Sequence, residues 1–598
     1  MEDLLQINIF NNTQEQLLFL EQFKVILKQK VIKLDRNKRL KFTQAFCTAL
    51  LNEYWIQVNK NSKSNWHIIS SPCSNTNLDK KSFEIAVNTG IKLTAIDKAE
   101  AGNFIGTLYA TLLPDDIRSD FGVYYTPPIL VDRLIQITSD SGFDWTEGKI
   151  LDPACGGAAF LAPIANKIIQ SFQAKGIENP SVIFRHIQKN LRGIEIDPFA
   201  AWISTVLLEI MLLDLCLQVK KRLTGLVTVT DTLKADVSKL EKFDLIIGNP
   251  PYGRLTLSEE LRSKFKKSLY GHANLYGVFT DIAMQLLNTN GLIAYVTPTS
   301  FLGGQYFKSL RKLLGETCPP VTIDFLDQRS GVFDTVLQET VLAVYKQKNE
   351  KVPKTVINSI SLSKKNKKIK VEHVGSFTLP EVAEDPWIFP RSLLQKAVLG
   401  KAITMNCRLK DYGYLVNTGQ LVWNRHKDQL KETKTKSSLP IVWAESILPN
   451  GIFEFRHSRT NHSPYIDIKD SQEFLVTKTP CILVQRTTSK EQNKRVQSAV
   501  TTDKFLNTFK NGFVVENHIN IIKPTSKKLV SLKVLSALLN SDAIDQIFRC
   551  ISGSVAVSAY ELNALPLPDP EQIFMLEELV EKEDHSLINT FITQLYKQ

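Results

Sequence analysis

The feature that most constrains the fold is a regular alternation of short apolar runs and helix-like segments that begins at Lys149. The first four runs lie at 149–151, 191–194, 226–230 and 243–247. Short runs of this kind are typical of strands buried on both faces, and helical crossovers between them make the strands parallel. The pattern predicts an α/β domain with a Rossmann-like, doubly wound, mostly parallel sheet of about seven strands.

A polar group stands at the end of each of these four strands. Asp152, Glu195 and Asp231 follow the first three, and the sequence Asn-Pro-Pro-Tyr at 249–252 follows the fourth after Gly248. The carboxyl ends of parallel strands share one edge of the sheet, which is where open α/β sheets bind ligands. Each acid alone is more often a helix cap or a surface group, but the ordered set predicts a binding site.

The turn after the first strand suits a nucleoside that carries a cationic group. Residues 152–161 read Asp-Pro-Ala-Cys-Gly-Gly-Ala-Ala-Phe-Leu, and Gly156 and Gly157 allow a ligand close to the backbone. No phosphate-binding Lys follows, and Asp152 would repel a pyrophosphate. The turn therefore argues against NAD or ATP and favours a nucleoside that bears an amino acid.

The remaining polar residues of this edge have separate expected roles. Glu195, at the tip of the second strand, is the candidate for ribose hydroxyls. Asp197 is expected to cap the helix that follows, and Asp231 to accept an adenine amine. Upstream, Thr126 precedes two prolines at a predicted helix start, where its hydroxyl can meet a carboxylate.

The turn at 249–252 is stiff and suits an amino group on a planar substrate. Pro250 and Pro251 fix two successive φ angles and donate no backbone N–H. The Asn249 side-chain oxygen and the Pro250 carbonyl can accept hydrogen bonds from an amine, and Tyr252 can cover the attached ring. A lone Asn-Pro-Pro is often only a turn, but the four-residue form after a strand ending in glycine is more specific.

Composition and length indicate the general class of protein. A chain of 598 residues with 43% hydrophobic and 22% charged residues has the composition of a soluble globular protein of several domains. The eight cysteines form no C-x-x-C pair, which argues against zinc and against a disulfide framework. No apolar run is long enough for a membrane helix and no secretory signal is visible, so a cytoplasmic protein without a membrane partner is expected.

Positive charge is concentrated in the second half of the chain. The net charge is +12, and residues 351–550 contain 32 Lys and Arg against 17 Asp and Glu. The last 48 residues, in contrast, contain eight acidic and two basic residues. A basic block of this size fits a polyanion such as nucleic acid, with a solubilising surface as the alternative explanation.

Helical spacing predicts further elements outside the core pattern. Apolar residues recur at helical intervals in 14–30, 42–55 and 104–113, whereas 78–82 is polar and is expected to be a loop. A turn is expected at 288–291. Pro114-Asp115 is not followed by the Glu-x-Lys of a metal-dependent nuclease, so an accessory helical layer is the preferred interpretation of the first part of the chain.

Taken in order, these motifs resemble the S-adenosylmethionine-dependent N6-adenine DNA methyltransferases of type II restriction–modification systems. The arrangement is the gamma type, with the catalytic domain before the target-recognition domain, and the likeness is strong from about residue 120 to residue 348. With the patterns above it implies an N-terminal helical accessory region (1–118), a catalytic domain (119–348), a Lys-rich linker (349–372) and an α+β DNA target-recognition domain (373–598). The Lys- and Ser-rich residues 351–370 fit either a linker or an exposed hairpin.

The resemblance implies a role for each candidate residue. The catalytic set is Asn249, Pro250, Pro251 and Tyr252, with Tyr252 and Tyr345 stacking on the target base. The residues that would bind S-adenosylmethionine are Thr126, Asp152, Ala154, Gly156, Glu195, Ile196, Asp231, Thr232 and Phe279. Candidate DNA contacts in the last domain are Arg425, Lys427, Arg456, Arg459 and Arg486.

The implied chemistry is direct methyl transfer, without a metal. Hydrogen bonds from the adenine N6 amine to oxygen acceptors raise its nucleophilicity, so that it attacks the sulfonium methyl in line. The base must leave the duplex first. The implied protein is a monomer that methylates double-stranded DNA and protects it from a cognate restriction endonuclease on another chain. Three alternatives remain open: methylation of an RNA base, methylation of a glutamine amide in a protein, and a DNA-binding subunit without catalysis.

Overall fold

The fold is described from a computed structural model. The structure describes residues 13–60, 62, 64–73, 78–120, 126–326, 339–348, 354–363, 368–455, 462–488, 493–551 and 556–597. Among these residues no single helix is long and apolar enough to cross a membrane, and the one helix pair that together meets this test is bent by 67°.

The N-terminal region is helical. Its helices are α1 (Thr13–Val31), α2 (Arg36–Asn59), α3 (Lys80–Leu93), α4 (Lys98–Leu112) and α5 (Asp115–Asp120). Asp35, Asp79 and Asp97 precede α2, α3 and α4, and each side chain accepts a hydrogen bond from an amide of the first turn. The helices predicted at 14–30, 42–55 and 104–113 are confirmed. The loop predicted at 78–82 is wrong from residue 80 onward, because Asp79 caps a helix there.

The central part alternates strands and helices as the sequence pattern predicts. Its strands are β1 (Ile150–Asp152), β2 (Leu191–Glu195), β3 (Val227–Val229), β4 (Phe243–Gly248), β5 (Arg254–Leu255), β6 (Ala273–Asn274), β7 (Leu287–Pro298), β8 (Pro320–Leu326), β9 (Thr340–Lys346), β10 (Thr355–Ser363) and β11 (Lys368–Phe377). Its helices are α6 (Pro128–Asp140), α7 (Leu161–Ala174), α8 (Pro180–Asn190), α9 (Pro198–Met211), α10 (Leu213–Val219), α11 (Glu259–Lys264), α12 (Leu275–Leu286), α13 (Ser300–Gly303) and α14 (Lys308–Thr317).

Within the described residues one sheet of nine strands runs through this part in the order β11-β10-β8-β9-β7-β4-β1-β2-β3. Strand β9 is antiparallel to both β7 and β8, β11 is antiparallel to β10, and the other neighbours are parallel. The Rossmann-like, mostly parallel sheet is confirmed. It is wider than the predicted seven strands because 355–363 and 368–377 form a hairpin on its edge. The linker interpretation of 349–372 is therefore wrong, and the alternative of a hairpin in this stretch is the one that the structure has.

The turn predicted at 288–291 is also corrected. Strand β7 begins at Leu287 and continues through this segment to Pro298. The pairing with β4 shifts between Phe243 and Leu245, and Asn290 has a positive φ of 67°. The turn-forming residues are thus accommodated as an irregularity inside a strand.

Both faces of the sheet are buried. Leu245 and Ile247 of β4 pack into a core that includes the N-terminal helices, and Ile246 packs into a second core on the opposite face. Alternating side chains of one strand therefore serve two cores, as a doubly wound sheet requires. Because the first core is continuous with α2 and α4, the N-terminal region and the central part share one hydrophobic core.

The C-terminal part is α+β, as predicted. Its elements are α15 (Leu393–Ala402), β12 (Tyr414–Thr418), β13 (Leu430–Lys431), β14 (Ser438–Val442), β15 (Tyr465–Asp467), β16 (Val476–Thr477), β17 (Ile482–Gln485), β18 (Ser498–Val500), α16 (Asp503–Thr508), β19 (Phe513–Val515), β20 (Ile519–Pro524), α17 (Leu532–Leu539), α18 (Asp542–Ile551), α19 (Ala559–Asn563), α20 (Met575–Glu581) and α21 (His585–Lys597). In the described segments the strands form a four-stranded sheet (β12-β20-β17-β18) and a five-stranded one (β13-β15-β14-β19-β16).

A buried arginine joins the central and C-terminal parts. Arg311 of α14 has no exposed surface. Its guanidinium donates hydrogen bonds to the carbonyls of Phe301, Gly304, Glu384 and Asp385 and to the Tyr560 hydroxyl. Since these acceptors belong to three separate chain segments, Arg311 fixes the position of the C-terminal part relative to the sheet.

Candidate functional site

The carboxyl ends of β1, β2 and β4 meet at one edge of the sheet, as the sequence predicts. Cys155, in the loop after β1, donates its amide to the Ile194 carbonyl of β2 at 2.9 Å. The Thr232 hydroxyl, after β3, donates to the Pro153 carbonyl at 2.7 Å. These two hydrogen bonds connect the loop after β1 to the end of β2 and to the segment after β3. The predicted site residues in these three places therefore lie close together.

Asp152 presents an unused acceptor in the interior of this edge. Its side chain is 1% exposed, and its Oδ1 accepts a hydrogen bond from the Ala154 amide at 3.1 Å. Its Oδ2 is buried and has no partner among the described residues. A Cβ at Gly248 would lie 2.6 Å from Oδ1, so only glycine allows the carboxyl to extend over β4. A buried, unsatisfied carboxyl oxygen suits a ligand with hydrogen-bond donors or positive charge.

Burial also changes the ionisation of this carboxyl. The pKa of Asp152 is raised to about 8, mainly by burial; the hydrogen bond from the Ala154 amide lowers it, and the nearby Glu195 charge raises it. A pKa in this range leaves the group mostly protonated at neutral pH until a cation arrives.

Glu195 shapes the loop after β1. Its two oxygens accept hydrogen bonds from the amides of Gly156 at 2.8 Å and Asp197 at 2.9 Å. Gly156 has a φ of +52°, a conformation that glycine adopts without strain. Burial is the main cause that raises the pKa of Glu195. Asp197 caps α9 as predicted, because its side chain accepts a hydrogen bond from the Phe199 amide at 2.9 Å.

The remaining cofactor candidates differ in exposure. Ile196 is 44% exposed, which leaves its side chain available to a ligand surface. Asp231 is partly exposed and accepts a hydrogen bond from the Leu233 amide at 3.0 Å. Phe279 lies in α12 and is buried. The Ile196 side chain therefore offers an exposed apolar surface, whereas the Phe279 side chain is covered by other residues.

The Asn249 amide is oriented by a residue far away in sequence. Its Nδ2 donates a hydrogen bond to the Thr126 hydroxyl oxygen at 2.9 Å, and Thr126 itself is buried. The Asn249 Oδ1 is buried and has no partner within the described residues. Thr126 thus accepts a hydrogen bond from the Asn249 side chain, and its hydroxyl proton can still be donated to a carboxylate, as the sequence predicts. The arrangement leaves one free acceptor oxygen in a fixed direction.

The Tyr252 ring follows the Asn249 acceptor in the same turn and is held in a fixed orientation. Its hydroxyl donates to the Val296 carbonyl at 3.0 Å, and its ring meets Tyr276 edge-on with 6.1 Å between centroids. An aromatic ring that is fixed at both ends keeps its orientation when a planar group packs against it.

The prediction that Tyr345 stacks on the substrate is wrong. Tyr345 is 2% exposed and pairs with Ile293 in the interior of the sheet. Because β9 is antiparallel to β7, Thr340 rather than Tyr345 lies beside Pro298 at the carboxyl edge. The Tyr345 ring packs in the core against Phe301, with 6.3 Å between ring centroids.

The candidate DNA contacts of the C-terminal part differ in exposure and in their hydrogen bonds. Arg425 and Lys427 are exposed on one loop, and the Lys427 ammonium lies 5.7 Å from the centre of the Trp423 ring. The Arg486 guanidinium donates to the Asn517 carbonyl at 3.0 Å, which gives it a structural contact. Arg456 and Arg459 lie outside the described residues.

One functional contact has no signal in the sequence. The Tyr109 hydroxyl of α4 donates to Asp197 Oδ2 at 2.5 Å, 88 residues away. The apolar stretch around Tyr109 indicates only a helix, so sequence reasoning missed it. In the described part of the chain no group of three or more His, Cys, Asp or Glu side chains is placed to hold a metal ion.

Comparison with known proteins finds similarity to one family. Residues 189–333 match the family model described as "Eco57I restriction-modification methylase". The chain is similar to two proteins in particular. Type II methyltransferase M.PstI of Providencia stuartii is 27% identical over 397 residues, which is 63% of this chain and 76% of the relative. Type II methyltransferase M.BsuBI of Bacillus subtilis is 23% identical over 483 residues, which is 77% of this chain and 90% of the relative. In sequence this chain is therefore similar to methyltransferases of type II restriction–modification systems.

A solved structure shows that the likeness in fold extends over the whole chain. It is that of the Type IIL restriction-modification enzyme MmeI in complex with DNA, with a TM-score of 0.54 and 12% identity. The alignment covers 98% of this chain and 93% of the other. The N-terminal helices and the C-terminal α+β part therefore belong to the shared architecture.

Proposed function

We propose that this chain is a site-specific DNA methyltransferase that transfers a methyl group from S-adenosylmethionine to N6 of an adenine in double-stranded DNA. The observation that carries the proposal is the Asn249 amide. Thr126 fixes its orientation, and its Oδ1 is left as a buried acceptor without a partner among the described residues. An acceptor of this kind, next to the Pro250 carbonyl and the Tyr252 ring, suits an amino group on a planar base.

The donor set of the sheet edge fits S-adenosylmethionine. The free Asp152 oxygen suits the α-ammonium group, and the exposed Ile196 offers an apolar contact to the adenine. Glu195 is assigned to the ribose hydroxyls, Asp231 to the adenine amine, and Ala154, Gly156 and Thr232 to the walls of the same site. When bound, this cofactor supplies an electrophilic methyl group on its sulfonium.

The protein's part in the reaction is to activate and orient the amine. The Asn249 Oδ1 and the Pro250 carbonyl accept the two N–H groups, which shifts electron density toward the amine nitrogen and raises its nucleophilicity. Tyr252 holds the base plane, so the lone pair points along one direction. The amine of a paired adenine cannot reach this buried position, and the base must therefore rotate out of the duplex.

The second half of the chain supports DNA as the partner. Residues 351–550 have a large excess of Lys and Arg, and Arg425, Lys427 and Trp423 are exposed together on one loop. Cations contact phosphates and an aromatic ring offers a surface for a base. We assign to the chain the role of protecting DNA from a cognate restriction endonuclease on another chain, acting as a monomer. The eight free cysteines fit a reducing compartment, which we take to be the cytoplasm.

Binding of S-adenosylmethionine at pH 7 is expected to release about one proton. The Asp152 carboxyl, with a pKa of about 8, is mostly protonated in the ligand-free chain at this pH. An ammonium group beside it favours the ionised form, so binding drives the proton into solvent. Because binding releases a proton, affinity rises as the pH increases toward 8. Calorimetric titrations in phosphate and Tris buffers, whose ionisation enthalpies differ, measure the released protons.

The control for this prediction is Asp152→Asn, which has no proton to lose. Its binding heat is expected to be the same in both buffers, with weaker affinity because the negative charge is missing. If the unsubstituted chain also gives equal heats in the two buffers, the assignment of Asp152 to the ammonium group is wrong.

The substrate class is tested by offering the chain several acceptors in parallel. The purified chain is incubated with methyl-labelled S-adenosylmethionine and duplex DNA, RNA or a protein extract. Label is expected in duplex DNA only. Label in RNA or in protein, with none in DNA, contradicts the proposed function and favours a base of RNA or a side-chain amide as the acceptor.

A further inference from the structure

Helix α4 of the N-terminal region lies directly against the loop that follows β1. A Cβ at Gly106 of α4 would lie 3.3 Å from the Gly157 carbonyl oxygen, and a Cβ at Gly157 would lie 3.1 Å from the Gly106 Cα. Helix and loop therefore meet backbone to backbone, with a glycine on each side. A side chain on either residue would force the facing backbone to shift by a few tenths of an ångström.

One turn further along the same helix face, Tyr109 reaches the end of β2. Its hydroxyl donates to Asp197 Oδ2 at 2.5 Å, and its ring packs on Phe199 with 5.1 Å between centroids. Burial, with the nearby Asp197 charge, raises the pKa of Tyr109, so the hydroxyl keeps its proton and acts as a donor. Residues 106 and 109 are spaced so that both point to the same surface of a helix.

A chain of hydrogen bonds continues from Tyr109 to the glycine loop. The Asp197 amide donates to Glu195 Oε1 at 2.9 Å. The other oxygen of Glu195 accepts the Gly156 amide at 2.8 Å. Helix α4 thus supports the loop at two points: directly through Gly106 on Gly157, and indirectly through Tyr109, Asp197 and Glu195 on Gly156.

We propose that α4 is a positioning element of the cofactor site, in which Gly106 and Tyr109 hold the loop after β1 and the tip of β2 in their binding geometry. The inference rests on the proposed function for the identity of the ligand, S-adenosylmethionine. It gives the N-terminal helical region a role beyond packing. Neither residue touches the ligand; both act through Gly156, Gly157 and Glu195.

The same helical region provides two matched controls. Tyr54 of α2 is also fully buried, but its hydroxyl has no hydrogen-bond partner among the described residues. Gly102 lies one turn before Gly106 in α4, and a Cβ there would meet only the Leu207 methyl groups at 3.7 Å. Tyr54→Phe and Gly102→Ala therefore repeat the two chemical changes within the same helical region, at positions away from the loop after β1.

The test measures binding of S-adenosylmethionine to the full chain by calorimetry. Tyr109→Phe is expected to raise the Kd about fivefold, since it removes one buried hydrogen bond to a carboxylate. Gly106→Ala is expected to raise the Kd about tenfold, since the added methyl group displaces Gly157. Tyr54→Phe and Gly102→Ala are expected to leave the Kd within about twofold of the unsubstituted chain.

Amide hydrogen exchange of residues 153–161 in the ligand-free chain gives a readout that does not depend on the ligand. Tyr109→Phe and Gly106→Ala are expected to speed exchange in this loop, and the two controls are not. The inference is overturned if neither test variant changes the loop's exchange or the Kd, or if the controls change both equally. If the unsubstituted chain does not bind S-adenosylmethionine, the proposed function fails, while the exchange data still decide whether α4 holds the loop.

Discussion

Replacing Asn249 with alanine is expected to lower kcat for methyl transfer about 10²- to 10³-fold, the usual effect of removing one oriented polar group at a reacting centre. The buried Oδ1, held in direction by Thr126, is the acceptor that the amine requires. Alanine removes this acceptor and leaves the strand and the two prolines unchanged. Because Asp152 and Glu195 are untouched, the Kd for S-adenosylmethionine is expected to stay within about twofold. Single-turnover kinetics and calorimetry measure the two quantities separately.

Two further variants make this result specific. Asn249→Asp keeps acceptor oxygens at the position and is expected to retain more activity than alanine. Thr126→Val removes the group that orients the amide. We expect kcat to fall about tenfold, which corresponds to the free energy of about one hydrogen bond. Full activity of Asn249→Ala would show that the amine is held by other groups, and would contradict the mechanism.

Replacing Arg311 with methionine is expected to destabilise the chain by about 3–5 kcal/mol, since several buried acceptors lose their donor together. Methionine fills much of the same volume but donates no hydrogen bond. The carbonyls of Phe301, Gly304 and Glu384 then remain buried without the guanidinium. Denaturant unfolding followed by tryptophan fluorescence reports the change, because the buried Trp387 donates its amide to the Leu302 carbonyl at 2.8 Å beside this joint.

The matched control is Lys312→Met, on the same helix at an exposed position. It removes a positive charge without leaving a buried acceptor, and its unfolding midpoint is expected to shift little. If the unfolding midpoint shifts by the same small amount in both variants, Arg311 does not join the central and C-terminal parts of the chain.

The parts of the fold that the sequence predicts are those set by local pattern. Strands β1 to β4 are apolar runs that end in polar residues, and a parallel sheet brings such ends together whatever the details of packing. The acids Asp152 and Glu195 and the turn at Asn249 were found in this way.

Errors arose where chain direction or long-range contact decides the outcome. The resemblance implies a stacking role for Tyr345, but β9 runs antiparallel and carries Tyr345 into the core. The contact between Thr126 and Asn249 joins residues 123 positions apart, and no local pattern reports it.

The hairpin of β10 and β11 was one of two interpretations that the Lys-rich stretch allowed. Its lysines did not separate an exposed linker from a hairpin, because charged residues are also common on the edge strand of a sheet. The alternation of apolar and polar residues in 355–363 and 368–374 was the usable signal.

The most direct measurement of the central claim is the chemical identity of the methylated product. Duplex DNA is incubated with the chain and S-adenosylmethionine, digested to nucleosides and analysed by mass spectrometry. We expect N6-methyldeoxyadenosine with the unsubstituted chain and a strong reduction with Asn249→Ala. Methylcytosine in place of methyladenine would contradict the claim that the Asn249 turn receives an adenine.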